Sequence, residues 1–257
     1  MRSNKIDEAL YGKKYGAITN RGSESLCSPE LINSDLLDEA SKIGEIHNQG
    51  VDFVYNYIST QSKNICTKNQ LFSAAIEGCK MFAQTIPKYD NSSFLFGLSL
   101  IELRPNSAGW SSDLPVFNAT FNEVYKQILN SSDSEVLSLR STQIRQLTSM
   151  EQLCLKMAES IGVSSQDYWS RNGEKWLTML NGVGGDDFPK PNLPTTAARI
   201  NWRGVRKMDI AAGIGAGIAG GLAGSVAPGV GTLAGAFGGA VGGAIGGSVT
   251  DILTQWL

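Results

Sequence analysis

Apolar positions recur three and four apart along most of the chain, the spacing of one helix face. Asn33-Ser34-Asp35 are residue types that cap helix starts. From there Leu36, Ala40, Ile43, His47, Val51, Val54 and Ile58 form one stripe, predicting a helix to residue 62. Leu71, Phe72, Ala75, Ile76, Cys79, Phe82 and Ile86 predict a second, stopped by Pro87. Residues 94–103 are a nearly continuous apolar run, compatible with strand or helix. A lone strand has no pairing partner, which favours helix. Pro105, Gly109 and Pro115 mark a loop. Phe117, Phe121, Val124 and Ile128 predict the next helix. Another starts at Asp133 or Ser134 on Leu137, Ile144, Leu147, Cys154, Met157 and Ile161, with a break near Ser141-Thr142. Trp169, Trp176, Leu177 and Leu180 predict a last short helix of this group, ending near Asn181.

The pattern then changes. From Ile210 to Thr250 there is no charged residue in 41 positions, and 15 of them are glycine. Gly231, Gly235, Gly239, Gly243 and Gly247 recur every four residues, and Leu233, Phe237, Val241, Ile245 and Val249 do so two positions out of phase. Gly213, Gly217 and Gly221 repeat the pattern beside Ile210, Ile214, Ile218 and Leu222. Pro228-Gly229 supplies a turn between the halves. A period of four fits a helix and not a strand. Each glycine costs a helix about 1 kcal/mol relative to alanine, so close packing must offset the cost. Glycine columns let two helix backbones approach, as in small-xxx-small interfaces of membrane helices. Residues 209–226 give about 27 Å of helix and 231–254 about 36 Å, against a hydrocarbon core of about 30 Å. Trp202, Arg203, Arg206 and Lys207 before the segment, and Trp256 after it, have the composition of interface anchors. Ile210, Ile214, Ile218, Leu222, Leu233, Phe237, Val241 and Ile245 are then expected to form an apolar, lipid-facing ridge. A soluble hairpin core is the competing reading.

This tandem Gly-x-x-x-Gly hairpin resembles the membrane-active segments of glycine-rich bacteriocins and the glycine-zipper segments of bacterial surface proteins and pore formers. The resemblance covers about residues 208–257. It implies a pore-forming, antibacterial toxin acting on the lipid bilayer, with an immunity protein or secretion-system carrier as partner. The five strong apolar residues of the first helix contribute only about −1.5 to −3 kcal/mol to insertion, so self-oligomers in the membrane are expected. The alternative is a non-toxic, membrane-anchored interaction or scaffold protein.

The fold class that follows is all-α: a helical bundle followed by a glycine-rich, transmembrane-type helical hairpin. Residues 1–32 read as a flexible tail, 33–181 as the helical domain, 182–207 as a Gly/Pro-rich linker with a basic flank, and 208–257 as the hairpin. The two acids of the hairpin, Asp209 and Asp251, account for the net charge of −2, so the rest of the chain is balanced. That balance does not suggest nucleic-acid binding. Met1–Gly16 has no apolar run of the signal-peptide kind. Synthesis in the cytoplasm and action at a membrane, by way of lysis or a dedicated secretion machine, is the expectation.

No catalytic constellation, cofactor or metal site is expected. Gly215-Ala216-Gly217-Ile218-Ala219-Gly220 matches a dinucleotide fingerprint but lacks the strand before it and the acid after it. Cys66, Cys79 and Cys154 read as buried thiols. His47 is the only histidine and lies on an apolar stripe. The string Gly44-Glu45-Ile46-His47-Asn48-Gln49-Gly50-Val51-Asp52 resembles a Gly-x-x-His-Asn…Asp stretch of uncharacterised bacterial proteins. It is expected to form a buried knot of His47, Asn48 and Asp52. Gly184-Gly185 reads as a linker pair, with double-glycine processing as the alternative.

Overall fold

The computed structural model describes residues 34–89, 91–103, 117–131, 146–184, 200–224 and 230–257. All regular structure among them is helical: α1 (Ser34–Gln61), α2 (Lys68–Thr85), α3 (Asn91–Leu103), α4 (Ala119–Asn130), α5 (Ser149–Asn181), α6 (Trp202–Gly224) and α7 (Val230–Trp256). The expected tail 1–32, the turn Pro228-Gly229 and the span 185–199 of the expected linker lie outside the described residues.

Local chemistry fixes the starts. The Thr67 hydroxyl accepts from Gln70 N–H, and the Gln70 side chain accepts from Thr67 N–H, a reciprocal cap on α2. Thr148 and Glu151 do the same for α5. The second Glu151 oxygen accepts from Asn118 N–H at 2.9 Å, and Asn118 itself caps α4. One buried carboxylate thus sets the starts of α4 and α5 together.

Three expectations are corrected. The helix through Cys154 and Ile161 and the helix through Trp169 and Trp176 are one, the 33-residue α5. Glycine costs at Gly162 and Gly173 are offset by packing: Gly162 lies against Ile210 and Arg206, and Gly173 against the Trp202 indole. The start at Asp133 or Ser134 and the break near Ser141 lie outside the described residues. The basic flank is not linker: residues 202–207 form the first turns of α6. Cys66 is exposed at the α1–α2 turn, whereas Cys79 and Cys154 are buried. Gly184 takes a left-handed φ of 73°, and its N–H donates to Ser62 O, so this glycine closes a packed turn.

The glycine-rich helices are not an appendage. α7 is the centre, in contact with α1, α2, α3 and α6, and α5 backs α6. The α1 stripe turns inward as expected, with Ala40, Ile43, His47, Val51, Val54 and Ile58 fully buried. Gly44 brings α1 onto α5: its N–H donates to Ser160 Oγ at 2.9 Å, and Ser160 Oγ donates to Ser41 O at 2.6 Å. Phe82 and Phe94 meet over α7, and Tyr89 meets Phe237 edge-on. α3 confirms the helical reading of 94–103.

Candidate functional site

α6 and α7 run antiparallel in a register that advances by four on both. Gly220 stands opposite Gly235, Ala216 opposite Gly239, Ala212 opposite Gly243, and Met208 opposite Gly247. A Cβ on Gly235 would lie 2.6 Å from Gly220 O, and one on Gly243 2.5 Å from Ala212 O. Gly239 would meet Ala216 O in the same way. Gly213 and Gly217 lie on the adjoining row, where a Cβ would fall 3.2 Å from Ala240 O and 3.1 Å from Ala236 O. The backbones are therefore in direct contact, as the period of four requires. Gly220, and not the buried Gly221, holds the register position on α6. The surroundings of Gly231 and Leu222 lie outside the described residues.

The ridge faces protein. Ile210, Ile214, Val241 and Ile245 are fully buried, Ile218 and Phe237 nearly so, and Leu233 packs on the same core. The expected lipid-facing role is not their role in this form, because α1, α2, α3 and α5 together present enough apolar surface to cover them.

The expected interface anchors also have internal partners. Arg206 is buried and donates to Gly162 O, Ser131 O, Ile128 O and Ser131 Oγ. Arg203 donates to Asn130 O, and Lys207 to Asn130 Oδ1. Three cations thus gather at the C-terminal end of α4, where unpaired carbonyls and the helix dipole favour positive charge. Trp202 stacks on Trp169, and the buried Trp256 donates its indole N–H to Asn181 Oδ1.

Four helices meet at a buried polar knot. His47 (α1), Ser165 (α5), Asp209 (α6) and Ser248 (α7) have no solvent exposure. His47 Nε2 lies 2.9 Å from Ser248 Oγ and 3.6 Å from Asp209 Oδ2. Ser248 Oγ is also bonded to Asp209 Oδ1. Asp209 Oδ2 accepts from Ser165 Oγ at 2.5 Å and from the Trp169 indole N–H at 3.2 Å. Asn48 Nδ2 donates to Ser164 O, which points its Oδ1 at His47 Nδ1, 2.9 Å away. His47 Nδ1 therefore carries a hydrogen. Two proton arrangements satisfy every bond: a neutral one, Asp209 O–H to Ser248 O–H to His47 Nε2, and an ion pair with both protons moved along that chain. Burial pushes the Asp209 carboxyl above its ordinary value, against the pull of His47, Ser165, Ser248 and Trp169.

His47, Ser248 and Asp209 are the residue types of a hydrolytic triad in another geometry. Here the serine bridges imidazole and carboxylate, and all three residues are fully buried. The knot joins helices. Asp52, expected in it, instead accepts from Tyr168 O–H at 3.0 Å and lies half-exposed, 3.7 Å from Lys175. Asp52 is five residues on from His47, about 140° round the helix axis, so it meets Tyr168 of α5 while the acid that reaches His47 comes from α6. The signal for Asp209 was its isolation: it is an acid at the edge of a segment with almost no other charge.

No protein-family model, curated protein or solved structure matches the chain.

By length and composition one described helix can cross a bilayer: Leu233–Trp256 of α7, with mean hydropathy 1.2 and 83% of its apolar window buried in the protein. The uncharged described part of α6, residues 210–224, gives about 22 Å of helix, short of the hydrocarbon core.

Proposed function

We propose that the chain is a membrane-permeabilising protein of the bacteriocin-like, pore-forming kind. Its α6–α7 pair would be the active part, stored in water by amphipathic helices and transferred to lipid at a target membrane. One observation carries this reading: a helix of bilayer-spanning length, packed backbone to backbone on its neighbour, lies at the centre of the fold under a helical cover.

The energetics permit transfer. Moving the apolar ridge from protein to lipid changes little, since lipid tails are as apolar as leucine. The glycine contacts between α6 and α7 are internal to the pair and travel with it. The polar knot opposes release, at about 1 kcal/mol per hydrogen bond lost. Several copies would supply the insertion energy that one pair lacks. Dye release from phosphatidylethanolamine/phosphatidylglycerol vesicles by the purified full chain tests the reading. Release is expected, and intact vesicles at saturating folded protein would overturn it.

A second reading is favoured by the knot itself. Its bonds tie α6 and α7 to α1 and α5, as a permanent core would require. The protein would then be an interaction or scaffold protein whose glycine-rich pair never leaves, and it would leave vesicles intact.

A further inference from the structure

We propose that α3 is the lid of the α6–α7 pair and meets a lipid bilayer first, through Leu95 and Phe96. This rests on the membrane reading above. The inner face of α3 is seated in the groove between the two glycine-rich helices. A Cβ on Gly97 would lie 2.5 Å from Gly239 O, 3.1 Å from Gly243 N and 3.2 Å from Ala216 Cβ. Gly242 in turn meets Phe94 O. Gly239 and Gly243 are the residues by which α7 packs on α6. α3 therefore covers the other side of that contact, and the side becomes free for lipid or a second pair only when α3 moves.

The outer face has the chemistry of a lipid contact. Leu95 is 37% exposed and Phe96 36%, neighbours on one helix. Glu102, in the last turn, is the one ionisable residue of α3. Ser99 spends its hydroxyl on Phe96 O at 2.8 Å, inside the helix. No charge has to be desolvated over residues 91–101 for this face to enter the headgroup boundary.

The test compares the full chain with Leu95→Glu/Phe96→Glu, and with Val163→Glu, an equally exposed apolar site on α5. Flotation with phosphatidylethanolamine/phosphatidylglycerol vesicles gives the bound fraction, and dye release gives permeabilisation. All three sites are exposed, so helicity and urea midpoints are expected to be unchanged. Leu95→Ser/Phe96→Ser replaces the glutamate pair if the charges perturb folding. Binding is expected to fall by on the order of tenfold or more in the double variant, and to be unchanged in Val163→Glu. A double variant that binds and leaks like a leaking wild type overturns the lid and leaves the membrane reading standing. A wild type that neither binds nor leaks overturns both. A wild-type dimer dispersed by the double variant would assign the face to a second copy, against lipid.

Discussion

His47 and Asp209 stand 3.6 Å apart, Nε2 to Oδ2, with neither side chain reaching solvent. They are the chain's only histidine and one of the two acids of its last fifty residues. Ser248 from α7 bonds both, so the α6–α7 pair is held to the body at a point where all partners are polar and dry. Removing one partner leaves buried groups unpaired, which costs more than the bond itself is worth. His47→Ala is expected to destabilise the fold by roughly 3 kcal/mol, read from urea midpoints. On the membrane reading it also speeds dye release, because the latch is weaker. A stability loss under about 0.5 kcal/mol would show that the knot holds little.

The pH dependence has a definite sign. Burial raises the folded-state pKa of Asp209. A raised pKa gives stability that is full below the unfolded value and is lost as pH rises through the folded value. Asp209→Asn removes that contribution while keeping the shape. Wild type is therefore expected to gain on Asp209→Asn in urea midpoint as pH falls from neutral. A wild type that loses ground to the variant on acidification would mean that the carboxylate, not the acid, is the form held in the knot.

Gly239 is in backbone contact on two sides, with Ala216 O of α6 and with Gly97 of α3. Gly239→Leu cannot be absorbed by a rotamer change. It is expected to cost at least about 3 kcal/mol in the water-soluble fold, with leakage that follows from partial unfolding and not from stronger insertion. A folded variant of unchanged midpoint would place the glycine contact elsewhere.

Arg206 and Arg203 both bond α4 carbonyls, but only Arg206 is buried. Arg206→Ala strands buried acceptors and is expected to cost roughly 3 kcal/mol. Arg203→Ala, exposed, is expected to cost under about 1 kcal/mol. Equal losses would contradict the capping role given to Arg206.

The helical class, the α1 stripe and the glycine column of α7 were legible because each depends on spacing within one element, whereas the α6 side of the register falls on Gly220, Ala216 and Ala212. Gly213, Gly217, Gly235, Gly239, Gly243 and Gly247 do meet a neighbouring backbone. Legibility failed where a partner comes from another element. Arg206 and Lys207 have the composition of membrane anchors, and nothing local indicates that the end of α4 lies against them. Asp209 was visible as an isolated acid, but its pairing with His47 spans more than 160 residues. The α5 boundaries failed for a related reason, since Gly162 and Gly173 lower helix propensity until Ile210 and Trp202 fill the space above them. One consequence concerns truncation. Because α6 and α7 are the core, deleting residues 208–257 is expected to unfold or aggregate the remainder, not to leave a helical body.

The most direct measurement is photolabelling from inside the membrane. A carbene-generating probe dissolved in the acyl region of phosphatidylethanolamine/phosphatidylglycerol vesicles is activated after the full chain is added, and labelled peptides are mapped. Label over Val230–Trp256 with α1 and α5 unlabelled is the predicted result. Vesicles that bind folded protein but leave Val230–Trp256 unlabelled would contradict the account and make the glycine-packed pair a permanent core.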